Sequence, residues 1–279
     1  YADIVRGVTK LATVSAAGGN AYTTISLGGE RPDLQAGPGV HVTGVLNDID
    51  LDTLLPYLSI GGNEGATIVA ESNATASQFK RLDLSLNNVK IFGRELSRAQ
   101  VNLRHNQGRF QGRFNTALAT GNIVIPKDKN QSVQLVLKTL SLPQKRIGEA
   151  KQQGKNKWLV SHNLQPFKWP KVSVLIERLI YKNQDIGQWS SQLSPTKTGF
   201  KASHIKGSIA GTNITGEVAF SERRQAVKSF MKLTAKGGDF GELLTQLGFG
   251  KVLESESGEL QANLSWQGYP WGISQANLN

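Results

Sequence analysis

Residues 82–91 read LDLSLNNVKI, and the first part of that stretch decides the fold class. Leu82, Leu84 and Leu86 alternate with Asp83, Ser85 and Asn87, the period of a strand that buries one face and wets the other. The same alternation returns at Val133, Leu135 and Leu137, at Val172, Val174 and Ile176, and at Leu260, Ala262, Leu264 and Trp266. Phe110, Gly112 and Phe114 share one face of a further strand, while Arg109, Gln111 and Arg113 share the other. Gly, Asn, Ser and Pro bound these runs, as turns require. The expectation is an all-β chain whose basic charge sits mainly on the polar face of its strands.

Two segments depart from period two. Residues 50–58 (DLDTLLPYL) and 239–247 (DFGELLTQL) each begin with an aspartate able to cap a helix and then carry leucines at helical spacing. Pro56 limits the first to one or two turns. Shifting the chain on itself by 90 residues lays Leu82, Leu84, Leu86, Val89, Ile91 and Leu96 on Val172, Val174, Ile176, Leu179, Tyr181 and Ile186 without a gap. A repeated strand-rich unit implies an elongated antiparallel sheet that grows by hairpins, because one unit alone leaves its apolar face uncovered. Units are expected at 1–78, 79–165, 166–238 and 239–279 of one elongated segment. Residues 145–157 (KRIGEAKQQGKNK) have almost no apolar side chain and read as a basic surface loop.

Composition removes whole classes of function. The 279 residues contain no cysteine, which excludes disulfides, thiolate metal sites and a cysteine nucleophile. No run reaches the roughly 18 uncharged apolar residues of a membrane-spanning helix. The net charge of +11 would attract nucleic acid, anionic lipid or acidic polysaccharide alike. Residues 104–114 (RHNQGRFQGRF) interleave arginine with phenylalanine, but the phenylalanines fall on the apolar side of a strand, so no nucleic-acid partner is expected.

Catalytic patterns are equally scarce. His41, His105, His162 and His204 are scattered, with no HExxH, GxSxG or phosphate-binding glycine loop beside them. Asp48, Asp50 and Asp52 resemble the start of a calcium loop, yet Thr53 and Ser59 occupy the places that need Gly and Glu. No enzyme activity, cofactor or metal is expected; convergence of His41, His105 and the Asp48–Asp52 cluster in space would reopen the question.

A sheet with one apolar face must cover it with helices, a second sheet or something other than protein. Two short helices are too little cover. Two solutions remain open at this level, a trough whose apolar lining suits acyl chains and a two-sheet core filled by side chains.

Family resemblance enters at residues 170–220, which begin PKVSVLIERLIYKNQDIGQW and end GSIAGTNITGEVAF. This segment resembles the AsmA-like family of bacterial envelope proteins. The stretch 237–279 (GGDFGELLTQLGFGKVLESESGELQANLSWQGYPWGISQANLN) is similar to that family's closing pattern, with Gly248, Leu264, Trp266, Gly268 and Pro270 at matching positions. The likeness runs from about residue 133 to 279, is weaker over 82–118, and before about 78 rests on the helix at Asp50. Phe220 stands where the family has Trp. The start at Tyr1, without the family's membrane anchor, fits a piece of a longer, inner-membrane-anchored chain.

The resemblance implies a periplasmic stretch of a β-groove that moves phospholipid between the inner and outer membranes. Its partners would be phospholipid acyl chains, the two membranes through the rest of the parent chain, and an envelope or outer-membrane protein. The residues expected to line the groove are Leu82, Leu84, Leu86, Val133, Leu135, Leu137, Val172, Val174, Ile176, Val218, Leu260, Leu264 and Trp266. Trp266 and Trp271 could instead pack a terminal corner or mark a membrane-facing end. The competing function is an envelope assembly module that pairs through its sheet edges.

Overall fold

The computed structural model describes residues 2–6, 9–16, 22–28, 38–50, 79–91, 94–128, 130–142, 170–223, 226–246, 255 and 257–270. Of the helix expected at 50–58, Asp50 is the last residue of a strand and 51–58 lie outside them, as do the basic loop at 145–157 and Trp271. The chain divides into two compact units, Tyr1–Gln131 and Ser132–Asn279. In the first, the strands are β1 (Ala2–Arg6), β2 (Thr9–Ala16), β3 (Tyr22–Leu27), β4 (Gly39–Asp50), β5 (Phe79–Ile91), β6 (Arg94–Asn106), β7 (Arg109–Thr116) and β8 (Ala119–Ile125). In the second they are β9 (Val133–Leu142), β10 (Val172–Ile176), β11 (Leu179–Tyr181), β12 (Gln184–Asp185), β13 (Trp189–Pro195), β14 (Gly199–Ile209), β15 (Thr212–Arg223), β16 (Ala226–Lys236) and β17 (Glu259–Gln267). Helix α1 (Phe240–Gln246) stands between β16 and β17. The chain is all-β, as its alternation requires.

The ladders are mixed, which corrects the expectation of a purely antiparallel sheet. Most neighbours are antiparallel hairpin strands, from β5 to β8 and from β13 to β17. Parallel pairs join β3 to β4, β4 to β5, and β9 to both β10 and β11. These are the places where the connection is long: 28–38, 51–78 and 143–171. A tight turn can only reverse the chain, so a strand that re-enters parallel needs a crossover. The 90-residue repeat follows the same rule, because β5 and β10 each enter beside a parallel partner and leave into an antiparallel one.

Each repeat also carries a local slip in the alternation. Leu86 and Val89 are both buried, and Asn87 and Asn88 between them are both exposed. A strict two-residue period would send Leu86 and Val89 to opposite faces. β4 slips at the same level, where exposed Asn47 and Asp48 separate Leu46 from Ile49. Asn87 Nδ2 donates to Asn47 Oδ1 at 2.8 Å, and Asn88 Nδ2 donates to Asp48 Oδ1 at 3.0 Å. β6 follows with Arg98 in the left-handed region at φ 55°, a conformation that costs a non-glycine residue on the order of 1 kcal/mol. The slip keeps Leu86, Val89 and Ala99 in one cluster, flanked by Leu46, Ile49, Leu84 and Val101. At the equivalent place in the second unit, exposed Glu177 and Arg178 separate Ile176 from Leu179, and the strand breaks into β10 and β11.

Helix α1 covers that end of the second unit's apolar face. Asp239 caps it as expected, with its Oδ1 accepting from the backbone N–H of Gly241 at 2.7 Å and of Glu242 at 3.3 Å. Phe240 and Leu243 then pack on Leu179, Ile186, Ile209 and Ala235. The approach is tight where Gly238, at φ 71°, meets Thr212, since a Cβ there would lie 2.5 Å from Thr212 Oγ1. Thr212 is fully buried, and its hydroxyl has no hydrogen-bond partner among the described residues.

Two stability outcomes follow from this packing. Thr212→Val replaces an unsatisfied hydroxyl by a methyl of the same shape and is expected to stabilise the chain by about 1 kcal/mol in urea titration; a loss of stability would show that the hydroxyl has a partner. Leu86→Ala empties a sealed site and should cost roughly 2–4 kcal/mol. Leu84→Ala, on the half-buried part of the same face, should cost clearly less, and equal losses would mean that the face is closed along its whole length.

Candidate functional site

Residues directly opposite on paired strands point to the same side of a sheet. In the first unit Leu82 lies opposite Val42 and Leu103, Leu84 opposite Gly44 and Val101, and Leu86 opposite Leu46 and Ala99. The row continues from Leu103 to Gly112 and Ile123, and from Val101 to Phe114 and Gly121. Toward β3 it passes from Val42 to Ile25 and from Gly44 to Leu27. Leu82, Leu84 and Leu86 therefore stand in the middle of an apolar face that extends from β3 to β8.

The second unit repeats the construction. Val133, Leu135 and Leu137 pair in parallel with Val172, Val174 and Ile176. The row passes to Leu193 and Trp189 on β13, then to Ala202 and Gly207 on β14, across a bulge between Ser190 and Gln192. From Ala202 it runs through Val218 and Met231 to Leu264, and Ala235 lies opposite Leu260. Register thus places the ten expected lining residues of this unit on one face. They are not equally open. Leu260 is 55% exposed, whereas Trp266 is 1% exposed, its indole Nε1 donating to the backbone oxygen of Tyr269 at 3.1 Å. Trp266 packs a terminal corner, the alternative its sequence position left open.

Several residues of this face escaped sequence reasoning. Trp189, Phe200, Phe220 and Met231 sit in runs whose alternation is broken by bulges or by serine, so only register reveals their side. Glycine shapes the floor between them. A Cβ on Gly207 would come within 2.3 Å of the Trp189 ring, and one on Gly216 within 2.6 Å of Leu233 Cδ2. Large side chains therefore lie flat across their glycine partners, which lowers the floor of the face instead of filling the space above it.

The opposite face is wet. Asp83 accepts from Asn102 Nδ2 at 3.0 Å and pairs with Arg81. Lys201 pairs with Glu217 at 2.7 Å, and its hydrogen bond holds that carboxyl below the usual range. Asp185 is likewise lowered, first by the backbone N–H of Gly187 and then by Arg178 at 2.9 Å. A lowered carboxyl contributes stability above its ordinary pKa that is lost as pH falls through the folded value. These groups are open to solvent and titrate as surface structure.

The groups that would have signalled catalysis do not converge. His41 is opposite Arg81, His105 stacks on Phe110 with ring centroids 4.9 Å apart, and Asp48 lies at the other end of β4. Among the described residues, no three His, Asp or Glu side chains form a metal-binding group.

Comparison with curated proteins and with solved structures finds no match. A family model described as YhdP protein matches residues 10–279, which takes in both units and nearly the whole chain. With the strand-built apolar faces and the closing helix in place, that match establishes that the chain belongs to the YhdP family, the kinship that the AsmA-like pattern at 170–220 and 237–279 implied.

Proposed function

We propose that the chain is a stretch of a periplasmic conduit that carries phospholipid between the inner and outer bacterial membranes, with acyl chains lying on its apolar faces. The YhdP family is a family of envelope lipid-transport proteins, and this reading extends that role to the present residues. One observation carries it: in each unit the apolar side chains form a continuous row across successive strands, most of them only half-buried. In the second unit α1 packs on that row at one end only. A face of this kind, left in water, exposes surface that costs about 25 cal/mol per Å². An acyl chain is the occupant that suits a floor made mostly of aliphatic and aromatic side chains.

No bond is made or broken in such a role. Each buried methylene gains roughly 0.8 kcal/mol, so an acyl chain gains about as much on the face as it gave up in the bilayer. The transfer is therefore nearly neutral, and successive rows of Leu, Val and Ile offer similar wells. Lipid exchanges along the face because no position holds it strongly.

The decisive experiment places a photo-crosslinking residue at Val174, and separately at its polar-face neighbour Ser173, in the protein expressed in living cells. Val174 should capture phospholipid and Ser173 should not. If both stay empty of lipid while polar-face or edge positions capture protein, the conduit gives way to an envelope assembly module.

A further inference from the structure

The two ends of the strands in the first unit differ in chemistry. At one end, where β5 and β7 begin and β6 and β8 finish, stand Lys80, Arg81, Arg104, His105, Arg109 and Lys127, against Asp83 and Asp128. Arg81 and Arg104 are direct cross-strand partners, a like-charged pair that only the nearby Asp83 relieves. That rim is basic.

Aromatic rings collect at the same rim. Phe110 and His105 stack there, and Phe79 is 46% exposed. The aliphatic cluster of Leu86, Val89 and Ala99 lies toward the opposite end. His105 continues the row of Leu103 on the apolar side, Lys80 stands at the register shift between β4 and β5, one residue beyond the last β5–β6 pair, and Lys127 lies against the Gly108 turn. In the second unit Lys171, Lys197 and Arg223 stand at the corresponding strand ends together with Glu222, and Phe220 there contacts the Phe200 and Tyr269 rings. Cations at the edge of an apolar row are the chemistry of a boundary between hydrocarbon and phosphate.

We infer that this basic, aromatic rim seats the phosphate of a phospholipid headgroup, so that the acyl chains run from it across the apolar face toward the Leu86 end. This rests on the acyl-chain reading above and adds an orientation and a headgroup requirement. His105 is the group on the apolar side of the rim, and Lys80 and Lys127 flank it at the strand ends, within the reach of long side chains to a phosphate held there by charge-assisted hydrogen bonds.

The test offers the chain vesicles containing phosphatidylglycerol or diacylglycerol with the same acyl chains, and quantifies the lipid retained after gel filtration by mass spectrometry. Wild type should retain phosphatidylglycerol about tenfold over diacylglycerol, a preference that weakens with salt. The triple variant Lys80→Glu, His105→Glu and Lys127→Glu should lose the preference and still retain diacylglycerol, which also shows that it is folded. The milder Lys80→Gln and Lys127→Gln pair should lower the preference partway, and Lys206→Glu on the polar face should leave it intact. Equal retention of both lipids by wild type would overturn the rim site while leaving the acyl-chain reading standing. Retention of neither lipid would remove the acyl-chain reading itself and the rim with it. Displacement of phosphatidylglycerol by glycerol phosphate or by single-stranded DNA at matched ionic strength would overturn the headgroup assignment in favour of a soluble anion or a nucleic acid.

Discussion

Cross-strand register is the constraint on which the rest of this molecule depends. A side chain on a paired strand has no choice of face: its opposite partners share its side, and a shift of one residue would send a whole row to the other side. Leu84 is apolar because Val101 and Phe114 beyond it are apolar, and the three form one row across β5, β6 and β7. The slip at Leu86–Val89 shows how strictly the constraint operates. β4 and β5 change phase together, side-chain amides tie Asn87 to Asn47 and Asn88 to Asp48, and β6 accepts a left-handed Arg98 at the same level. Three strands move in concert because one alone would break the row.

That constraint explains why the face is both continuous and shallow. A compact core would require larger side chains standing up to meet a second layer, at the density of a crystal. Here Trp189 lies over Gly207 and Leu233 over Gly216, which keeps the floor low. Dense packing on the second unit's face is found beneath α1, where Phe240 and Leu243 pack, and around Trp266 and Phe220. Low relief between them suits an occupant that slides more than one that docks.

Much of this was legible in the sequence, and the gaps have physical causes. Strict alternation located β5, β9, β10 and β17, and the aspartate followed by spaced leucines located α1, because those signals are local. The sense of strand pairing was not legible. Parallel joints arise from long connections, and nothing in residues 51–78 or 143–171 states which edge the next strand will join. Face membership failed at the bulge in β14, where Ala202 and Gly207 share a face although five residues apart. The burial of Trp266 depends on a hydrogen bond to Tyr269 across a turn, which period two does not encode. The spacing of three between Leu86 and Val89, and again between Ile176 and Leu179, was visible as sequence, but its meaning required the burial of both flanks.

The 90-residue repeat acquires a physical reason once the two strand ends are distinguished. A conduit for amphiphiles needs a headgroup lane and a tail floor that run in parallel, since a lipid advancing along it must find the same polarity at every step. Repetition supplies this directly. Each copy brings back a parallel entry, a row of aliphatic residues, a slip into a buried cluster, and a basic end with aromatic rings, at Arg81 and Phe110 in one unit and at Lys171 and Phe200 in the other. On the proposed conduit reading, a single unit with its own optimal pocket would trap a lipid, whereas units that repeat the same moderate surface keep each step close in energy to the next.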